Sequence, residues 1–267
     1  MLADGLSAYG KAVSGACACN AHEMYTSVGV VGNGTMGKQL ADWLRKSGVA
    51  VVHCARRDLE QEAPRFAECK LVFECVAEDF DTKSDVLRLL DATCLDDCVI
   101  ATTTSSLSLD TLKSSTPRHL AHFLCIHLFN PIAKSRLVEV VSLLTTSPAV
   151  GQGVAHFMAA LEKKPVQLTD TARYPGFIVN SLLFPYLNSA AHMLDAGYAS
   201  KEDIDYAMQN ACRHPLGPFA LMDFVGLDVT AAIIAQVDTQ PVAECITAHV
   251  AAGNLGKKVG RGFYTCS

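Results

Sequence analysis

A short glycine-rich segment has the composition of a phosphate-binding loop. The residues GNGTMG at positions 32–37 fit the pattern G-x-G-x-x-G and directly follow a β-branched run at positions 28–31. In such a loop the first glycine permits a tight turn, the second lets the backbone approach a pyrophosphate, and the third lets a helix pack on a strand. The N-terminus of the following helix would offer free N–H groups to the anion. We therefore predict that a dinucleotide contacts Gly32, Gly34, Thr35, Met36 and Gly37.

The end of the second predicted strand bears on the choice of cofactor. A site for NAD usually has Asp or Glu there, which accepts a hydrogen bond from the ribose 2′-hydroxyl. This chain has Ala55, followed by Arg56 and Arg57. Guanidinium groups suit a 2′-phosphate. The sequence thus predicts NAD or NADP as cofactor, with a lean toward NADP or dual use; the alternative is that both arginines are solvated on a loop.

A histidine on a predicted strand is the candidate acid–base group. His127 opens the run HLFNP, and Glu139 lies twelve positions further on. An imidazole has an ordinary pKa of about 6.5, which suits proton transfer at neutral pH. A lone histidine in an apolar strand is more often a core residue, and Glu139 alone could be a solvated carboxylate. The two side chains can meet only through the fold.

Several further motifs occur in a characteristic order after position 26. They read FECVAED, TTTSSL, IHLFNP, LVEV, YPGFIVN, SKEDIDYAM, PLGPFALMDFVGLD and GKKVGRGFY. Together with the glycine loop they resemble the short-chain L-3-hydroxyacyl-CoA dehydrogenases and 3-hydroxybutyryl-CoA dehydrogenases. The resemblance implies reversible hydride transfer between a nicotinamide and the 3-hydroxyl carbon of a short-chain acyl-CoA, in fatty-acid metabolism.

The resemblance also implies roles for individual residues. His127 stands at the family's catalytic position and Glu139 at that of its partner carboxylate. Ser105 and Asn130 correspond to residues that hydrogen-bond the substrate oxygen and the nicotinamide region, and Asn180 matches another active-site amide. Ser105 and Asn180 could instead be helix caps or turn residues. Two further positions, Glu74 and Lys83, line the cofactor in relatives or form a simple salt bridge.

Some features depart from the family pattern. Only residues 58–69 connect the second and third predicted strands, where relatives have a long helical hairpin that helps hold CoA. Thr103 and Ser181 replace a usual Asn and Arg, and the helical region is trimmed between about residues 236 and 254. These departures keep two alternatives open: a dehydrogenase of a small non-CoA hydroxy acid, and a non-catalytic dinucleotide-binding protein. The cations that could hold CoA phosphates, or be plain surface charge, are Lys134, Arg136, Lys257 and Lys258.

The hydrophobic periodicity predicts the elements that position these residues. Short β-branched runs alternate with helical patterns up to about residue 168, and the periodicity is helical from residue 177 onward. We predict a Rossmann-type, doubly wound, mostly parallel sheet followed by an all-helical domain. Residues 1–25 are predicted to be a poorly ordered extension, residues 26–173 the dinucleotide-binding domain, and residues 174–267 a helical domain for substrate and dimerisation.

The composition narrows the class of protein. Half of the 267 residues are hydrophobic and 18% are charged, which excludes a disordered or collagen-like chain. The net charge of -5 argues against a nucleic-acid partner, and the apolar run at residues 174–194 contains polar residues and prolines, which favours a core helix over a membrane span. The eleven cysteines show neither zinc-site nor disulfide spacing. We expect a homodimer in a reducing compartment, the cytoplasm or the mitochondrial matrix.

Overall fold

The computed structural model describes residues 25–169 and 174–265. Except for Tyr25, the predicted N-terminal extension lies outside the described residues. The described chain has two portions, residues 25–169 and residues 174–265, and the predicted domain boundary between positions 173 and 174 stays a prediction.

The N-terminal portion is built on one seven-stranded sheet. Its strand order is β2-β1-β3-β4-β5-β6-β7, and all neighbours are parallel except β5 and β6. The order reverses beside β1, which is the switch point where open α/β sheets bind ligands. The strands are β1 Ser27–Val31, β2 Ala50–Cys54, β3 Leu71–Glu74, β4 Val99–Thr102, β5 Phe123–Leu128, β6 Leu137–Ser142 and β7 Lys164–Thr169.

Helices cover the sheet and then form a separate layer of their own. Those packed among the strands are α1 Thr35–Lys46, α2 Leu59–Phe66, α3 Phe80–Thr93, α4 Leu109–Leu112 and α5 Pro148–Ala160. Those that follow the sheet are α6 Val179–Asp195, α7 Lys201–Ala211, α8 Pro218–Val225, α9 Leu227–Val237 and α10 Glu244–Ala251. The prediction of a doubly wound, mostly parallel sheet followed by a helical domain is confirmed.

Burial explains why these segments form these elements. β3 and β4 are buried along their whole length, as expected of strands with helices on both faces. In α1 the apolar positions Leu40, Ala41 and Leu44 lie on one buried face. The apolar run that the sequence assigns to a core helix is α6, whose Leu187 and Ala191 are fully buried.

The antiparallel step between β5 and β6 follows from a short connection. Only residues 129–136 separate the two strands, whereas a parallel return needs a crossover of about a dozen residues or more. The chain therefore turns back directly, and the register pairs His127 with Glu139. This pairing brings the two candidate catalytic side chains onto the same face of the sheet.

The connection between β2 and β3 differs from the sequence expectation. Its polar composition and Pro64 gave no helical signal, yet it folds as α2, with Leu59 and Phe66 buried. The Phe66 ring lies against Gly29 of β1, where an added Cβ would be 2.7 Å from it. Two apolar anchors one helix length apart are enough to hold this short helix on the sheet.

A helix that crosses a membrane must be both long and apolar. Among the described residues, no helix is by itself both long and apolar enough to cross a bilayer, and one strongly bent pair, α8 with α9, meets the criterion by combined length and composition.

Candidate active site

The three glycines of the dinucleotide loop meet different surroundings. A Cβ at Gly32 would lie 2.3 Å from the Cys75 carbonyl oxygen, and one at Gly37 would lie 2.1 Å from the Gly32 carbonyl oxygen. Both glycines are therefore required for close backbone packing. A Cβ at Gly34, in contrast, would meet nothing within 4 Å. This open space at the start of α1 is the room that a pyrophosphate needs, so the loop fits a dinucleotide.

The start of α1 is free to bind an anion. Gly34 occupies the N-cap position, and it has no side chain to cap the helix. Thr35 is exposed there, and Met36 is half-buried. The loop itself is held by His53 of β2, whose Nε2 lies 2.8 Å from the Gly32 carbonyl oxygen. The predicted cofactor loop thus has uncapped N–H groups on a rigid support.

The predicted ribose position opens onto a cleft of about 780 Å³ beside the glycine loop. Ala55, Arg56 and Arg57 all line this cleft. The Arg56 guanidinium lies 3.1 Å from the Asp85 carboxylate, and both side chains are about half exposed. The Arg57 side chain is 86% exposed. Arg56 therefore faces the cleft with an acidic neighbour already beside it.

Glu74 and Lys83 form a buried ion pair behind the cofactor loop. The Lys83 Nζ lies 3.0 and 3.1 Å from the two oxygens of Glu74. Glu74 also accepts hydrogen bonds from Thr102 Oγ1 at 2.7 Å and from the Val76 backbone N–H at 2.8 Å. Glu74 is 0% exposed and both of its oxygens accept hydrogen bonds, so it holds the Lys83 ammonium in place; its contact with the cofactor stays a prediction.

Glu78 is a site residue that the sequence reasoning missed. Its Oε1 accepts from Thr104 Oγ1 at 2.6 Å and from the backbone N–H groups of Ser105 and Ser106 at 2.8 and 3.0 Å. Its other oxygen lies 3.4 Å from the Lys83 Nζ. It thereby holds the segment that carries Ser105. The only available signal was its place in FECVAED, four residues after Glu74.

Competing effects set the protonation of this cluster. Burial alone would raise the pKa of Glu78, but Lys83 and the hydrogen bonds from the 104–106 segment outweigh it and lower that pKa. Burial would likewise lower the pKa of Lys83, but the carboxylates of Glu74 and Glu78 raise it instead. Glu78 and Lys83 are therefore both charged at neutral pH.

His127 and Glu139 form the second buried pair. The His127 Nδ1 lies 2.6 Å from Glu139 Oε2, and the two side chains are 4% and 1% exposed. Because a carboxylate only accepts hydrogen bonds, Nδ1 carries the proton of this contact. In the neutral imidazole, Nε2 is then the atom that can accept a proton. This is the arrangement that a general base requires, with its tautomer fixed by a neighbouring acid.

The second oxygen of Glu139 joins the sheet to the helical domain. Its Oε1 accepts from the backbone N–H groups of Ile178 and Val179 at 3.0 and 3.2 Å. These groups open α6, so the carboxylate caps that helix and is stabilised by its positive end. From the second residue of α6, the Asn180 Nδ2 reaches the Ser105 carbonyl oxygen at 3.5 Å. Predicted site residues from both portions of the chain are therefore brought together.

Asn130 lies on the exposed loop that follows β5. Its Oδ1 accepts a hydrogen bond from Gln39 Nε2 of α1 at 3.0 Å. Gln39 was not among the predicted site residues, because nothing in the sequence connects positions 39 and 130. The contact links the helix that follows the dinucleotide loop to the loop that follows His127.

Thr103 and Ser181, which depart from the family pattern, each form a hydrogen bond within the chain. The Thr103 Oγ1 donates to the Glu74 carbonyl oxygen at 3.0 Å, and Ser181 Oγ donates to the carbonyl oxygen of Pro175 at 2.8 Å. Both hydroxyls therefore bind nearby backbone.

The four candidate CoA-binding cations have different surroundings. Lys258 forms an ion pair with Asp228 at 2.5 Å, and the Lys257 ammonium lies 5.8 Å from the centroid of the Phe224 ring. Lys134 and Arg136 are exposed on the loop between β5 and β6. Of these cations, Lys258 already has a carboxylate partner within the chain.

Comparison with known proteins places both portions of the chain in one family. The family model of the 3-hydroxyacyl-CoA dehydrogenase NAD-binding domain matches residues 53–171, and that of the C-terminal domain matches residues 176–266. The 3-hydroxybutyryl-CoA dehydrogenase of Clostridioides difficile is 40% identical over 200 residues, which are 73% of this chain and 70% of that protein.

Two further relatives agree with this placement. The mitochondrial hydroxyacyl-coenzyme A dehydrogenase of Sus scrofa is 41% identical over 73% of this chain, and the match spans 63% of that enzyme. The crystal structure of the (S)-3-hydroxybutyryl-CoA dehydrogenase PaaH1 from Ralstonia eutropha has a TM-score of 0.82 and 31% identity, covering 91% of this chain and 99% of that one. The chain belongs to the 3-hydroxyacyl-CoA dehydrogenase family, whose members are oxidoreductases.

Proposed function

We propose that this protein transfers a hydride between NAD(P) and the 3-hydroxy or 3-oxo carbon of a short-chain acyl-CoA. The observation that carries the proposal is the buried His127–Glu139 pair, with Nδ1 held at 2.6 Å and Nε2 left to accept a proton. When bound, the nicotinamide supplies or takes up the hydride. The residues of the chain perform the accompanying proton transfer and orient the substrate.

In the oxidative direction, the proton of the substrate hydroxyl goes to the Nε2 of His127, and the carbon that bears this hydroxyl loses the hydride. Glu139 then stabilises the imidazolium that forms. Ser105, Asn130 and Asn180 are the groups for orienting the substrate oxygen and the carboxamide of the nicotinamide, since donors aimed at a developing alkoxide lower the barrier. In the reductive direction His127 returns the proton to the carbonyl oxygen.

Two features of the ribose end bear on the cofactor preference, and they favour opposite outcomes. Ala55 removes the carboxylate that selects for a free 2′-hydroxyl, and Arg56 lines the adjoining cleft. Asp85 already pairs with Arg56, which reduces the positive charge offered to a 2′-phosphate. We infer use of both cofactors, with the preference for NADP depending on Arg56.

A second candidate keeps the chemistry and changes the substrate to a small non-CoA hydroxy acid. The observation that favours it is the short β2–β3 connection, which folds as α2 with Leu59 and Phe66 turned into the core. Such a connection leaves little chain there to contact the tail of CoA. The third alternative, a non-catalytic dinucleotide-binding protein, has less support because the complete His127–Glu139 pair is present.

A homodimer formed through the helical domain is also part of the proposal. The apolar side chains of Ile178, which precedes α6, and of Leu182 and Met193 within it are exposed. Exposed apolar side chains on one helix favour a protein–protein contact there.

The eight cysteines of the described residues are all free thiols, which supports a reducing compartment such as the cytoplasm or the mitochondrial matrix. Fatty-acid metabolism is the pathway that the proposed substrate implies.

The test is the loss of reduced-nicotinamide absorbance when purified protein is mixed with acetoacetyl-CoA, run in parallel with NADH and with NADPH. Turnover that falls about 10²–10⁴-fold in His127→Ala, the usual contribution of a general base, would support the proposal, provided that cofactor binding stays unchanged. Faster turnover of free acetoacetate than of the thioester would favour the non-CoA substrate. Equal activity of wild type and His127→Ala would contradict the assignment.

A further inference from the structure

Gln39 is the residue of α1 that reaches the loop after His127. Its Nε2 donates to Asn130 Oδ1 at 3.0 Å, and its Oε1 accepts from the Ile132 backbone N–H at 3.1 Å. One amide therefore contacts the loop twice, once through a side chain and once through the backbone. Neither contact was needed to explain the proton-transfer pair.

The contact with the Ile132 N–H determines which atom donates in the contact between Gln39 and Asn130. A backbone N–H can only donate, so the atom of Gln39 that faces Ile132 has to be the oxygen. The other end of the same planar amide is then the NH₂ group, which can only donate. Asn130 must meet that group with its own oxygen. The Ile132 N–H thus fixes the orientation of the Gln39 amide, and the Gln39 amide fixes that of the Asn130 amide.

This orientation leaves the NH₂ group of Asn130 without a partner among the described residues. Its NH₂ group lies on the other side of the amide from Gln39, and within the described residues no group accepts from it. We propose that Gln39 is a positioning residue, which holds Asn130 so that its NH₂ group, rather than its oxygen, is offered to the oxygen atom of the substrate. This rests on the proposed function, in which that oxygen becomes alkoxide-like and needs a donor.

The loop that carries Asn130 is held from a second side as well. Lys163, which is buried, donates to the carbonyl oxygens of Ile132 and Ser135, and its Nζ lies 4.5 Å from the centroid of the Trp43 ring. Ile132 is thus fixed at its N–H by Gln39 and at its carbonyl by Lys163. Its N–H is therefore a rigid reference for the orientation of Gln39.

Two variants of Gln39 test whether the orientation of the Asn130 amide matters, while Asn130 itself is kept. Gln39→Met keeps the volume but removes both hydrogen bonds, so Asn130 is free to turn. Gln39→Glu keeps an acceptor for Ile132 but presents an oxygen to Asn130, so Asn130 must turn its NH₂ group away from the substrate. We expect kcat to fall about 3- to 10-fold in Gln39→Met and about 10- to 100-fold in Gln39→Glu, below the 10²–10³ of a deleted oxyanion donor.

Controls separate this effect from charge and from folding. Gln209→Glu adds the same charge at an exposed position of α7 and should leave kcat unchanged. The KM for NADH should change less than about threefold in both Gln39 variants. In an Asn130→Ala background the two Gln39 variants should differ by less than about twofold, because the group that they orient is gone.

A spectroscopic readout is independent of turnover. The NH₂ resonances of Asn130 can be identified in a ¹H–¹⁵N spectrum of the cofactor-free protein by their absence in Asn130→Ala. They should shift in Gln39→Glu, where they donate to a carboxylate, and stay near solvent-exposed values in wild type. Unshifted resonances, or a kcat in Gln39→Glu no lower than in Gln39→Met, would overturn the inference. If the wild type fails to reduce acetoacetyl-CoA, the proposed function fails while the spectrum still decides the orientation.

Discussion

The two ends of the proposed active site, the catalytic end and the ribose end, are built on opposite principles. At the catalytic end, the His127–Glu139 pair and the ammonium of Lys83 are almost completely buried, and their contacts are all made within the chain. At the ribose end, Arg56 and Asp85 form one ion pair with half of each side chain in solvent. The polar groups of the catalytic end are already paired within the chain. At the ribose end, Arg56 is exposed enough to leave Asp85 for another anion.

This difference decides how strongly each end depends on individual residues. Removing one member of a buried pair leaves an uncompensated charge and costs about 3–5 kcal/mol, whereas an exposed pair contributes about 0–1 kcal/mol. Changes at the catalytic end should therefore affect folding or chemistry severely. Changes at the ribose end should alter which cofactor binds and little else.

The largest expected effect is that of Glu139→Gln on turnover. The N–H groups of Ile178 and Val179 require an acceptor, so the amide oxygen would take their side and the NH₂ group would face His127 Nδ1. Nδ1 would then have to accept, which moves the proton to Nε2 and removes the base. We expect kcat to fall by about 10²–10⁴ in a steady-state assay with acetoacetyl-CoA.

The control for this prediction is Glu244→Gln, an exposed carboxylate at the start of α10. It should retain full activity. NADH binding, followed by nicotinamide fluorescence, should stay the same in both variants. Wild-type turnover in Glu139→Gln would mean that the tautomer of His127 does not matter for the reaction.

The next largest effect is on stability. Lys83→Met leaves the buried carboxylate of Glu74 without its cation, and we expect the free energy of unfolding to fall by about 3–5 kcal/mol. Lys70→Met is the matched change at an exposed pair, since the Lys70 ammonium contacts Asp97 in solvent, and it should cost less than about 1 kcal/mol. Urea denaturation of both variants checks the difference, and equal losses would show that burial does not separate the two pairs.

Much of the fold and part of the candidate site could be predicted from the sequence. α1 and β4 fit the predicted alternation of helical and β-branched patterns, because their apolar patterns are regular and their ends carry glycine or polar residues. The meeting of His127 and Glu139 followed from the family resemblance, and the antiparallel register of β5 and β6 explains it. Motifs thus predict which side chains do chemistry where neighbouring strands place them together.

The residues that the sequence did not reveal are those with distant partners. Glu78 holds backbone N–H groups of the segment after β4, and this contact exists only because β3 and β4 are neighbours. Gln39 and Asn130 are 91 positions apart. No local pattern encodes such contacts. The helix α2 was missed for a different reason, because Pro64 and the polar residues around it mask its two buried anchors.

A smaller effect is expected from the pH dependence of stability at the catalytic end. The pKa of Glu78 is lowered in the folded protein, so its charge stabilises the fold above the ordinary value of 4.5 and that contribution is lost as the pH falls. At pH 7, Glu78→Gln should cost about 1–3 kcal/mol, the typical worth of hydrogen bonds to a charged group. The difference from wild type should shrink below pH 4.5 in urea titrations. A constant difference down to pH 3 would mean that the charge of Glu78 contributes nothing.

The smallest effect is expected at the ribose end and concerns selectivity. If the Arg56 guanidinium leaves Asp85 to bind a 2′-phosphate, Arg56→Gln should raise the Kd for NADPH about tenfold, equivalent to about 1.4 kcal/mol, and leave that for NADH within about twofold. Arg88→Gln is the matched control, since Arg88 also contacts Asp85, at 2.9 Å, but does not line the cleft. Fluorescence titration with both cofactors separates the variants. A wild type that prefers NADH tenfold or more would show that Asp85 retains Arg56, and that an exposed ion pair can still decide which cofactor this fold accepts.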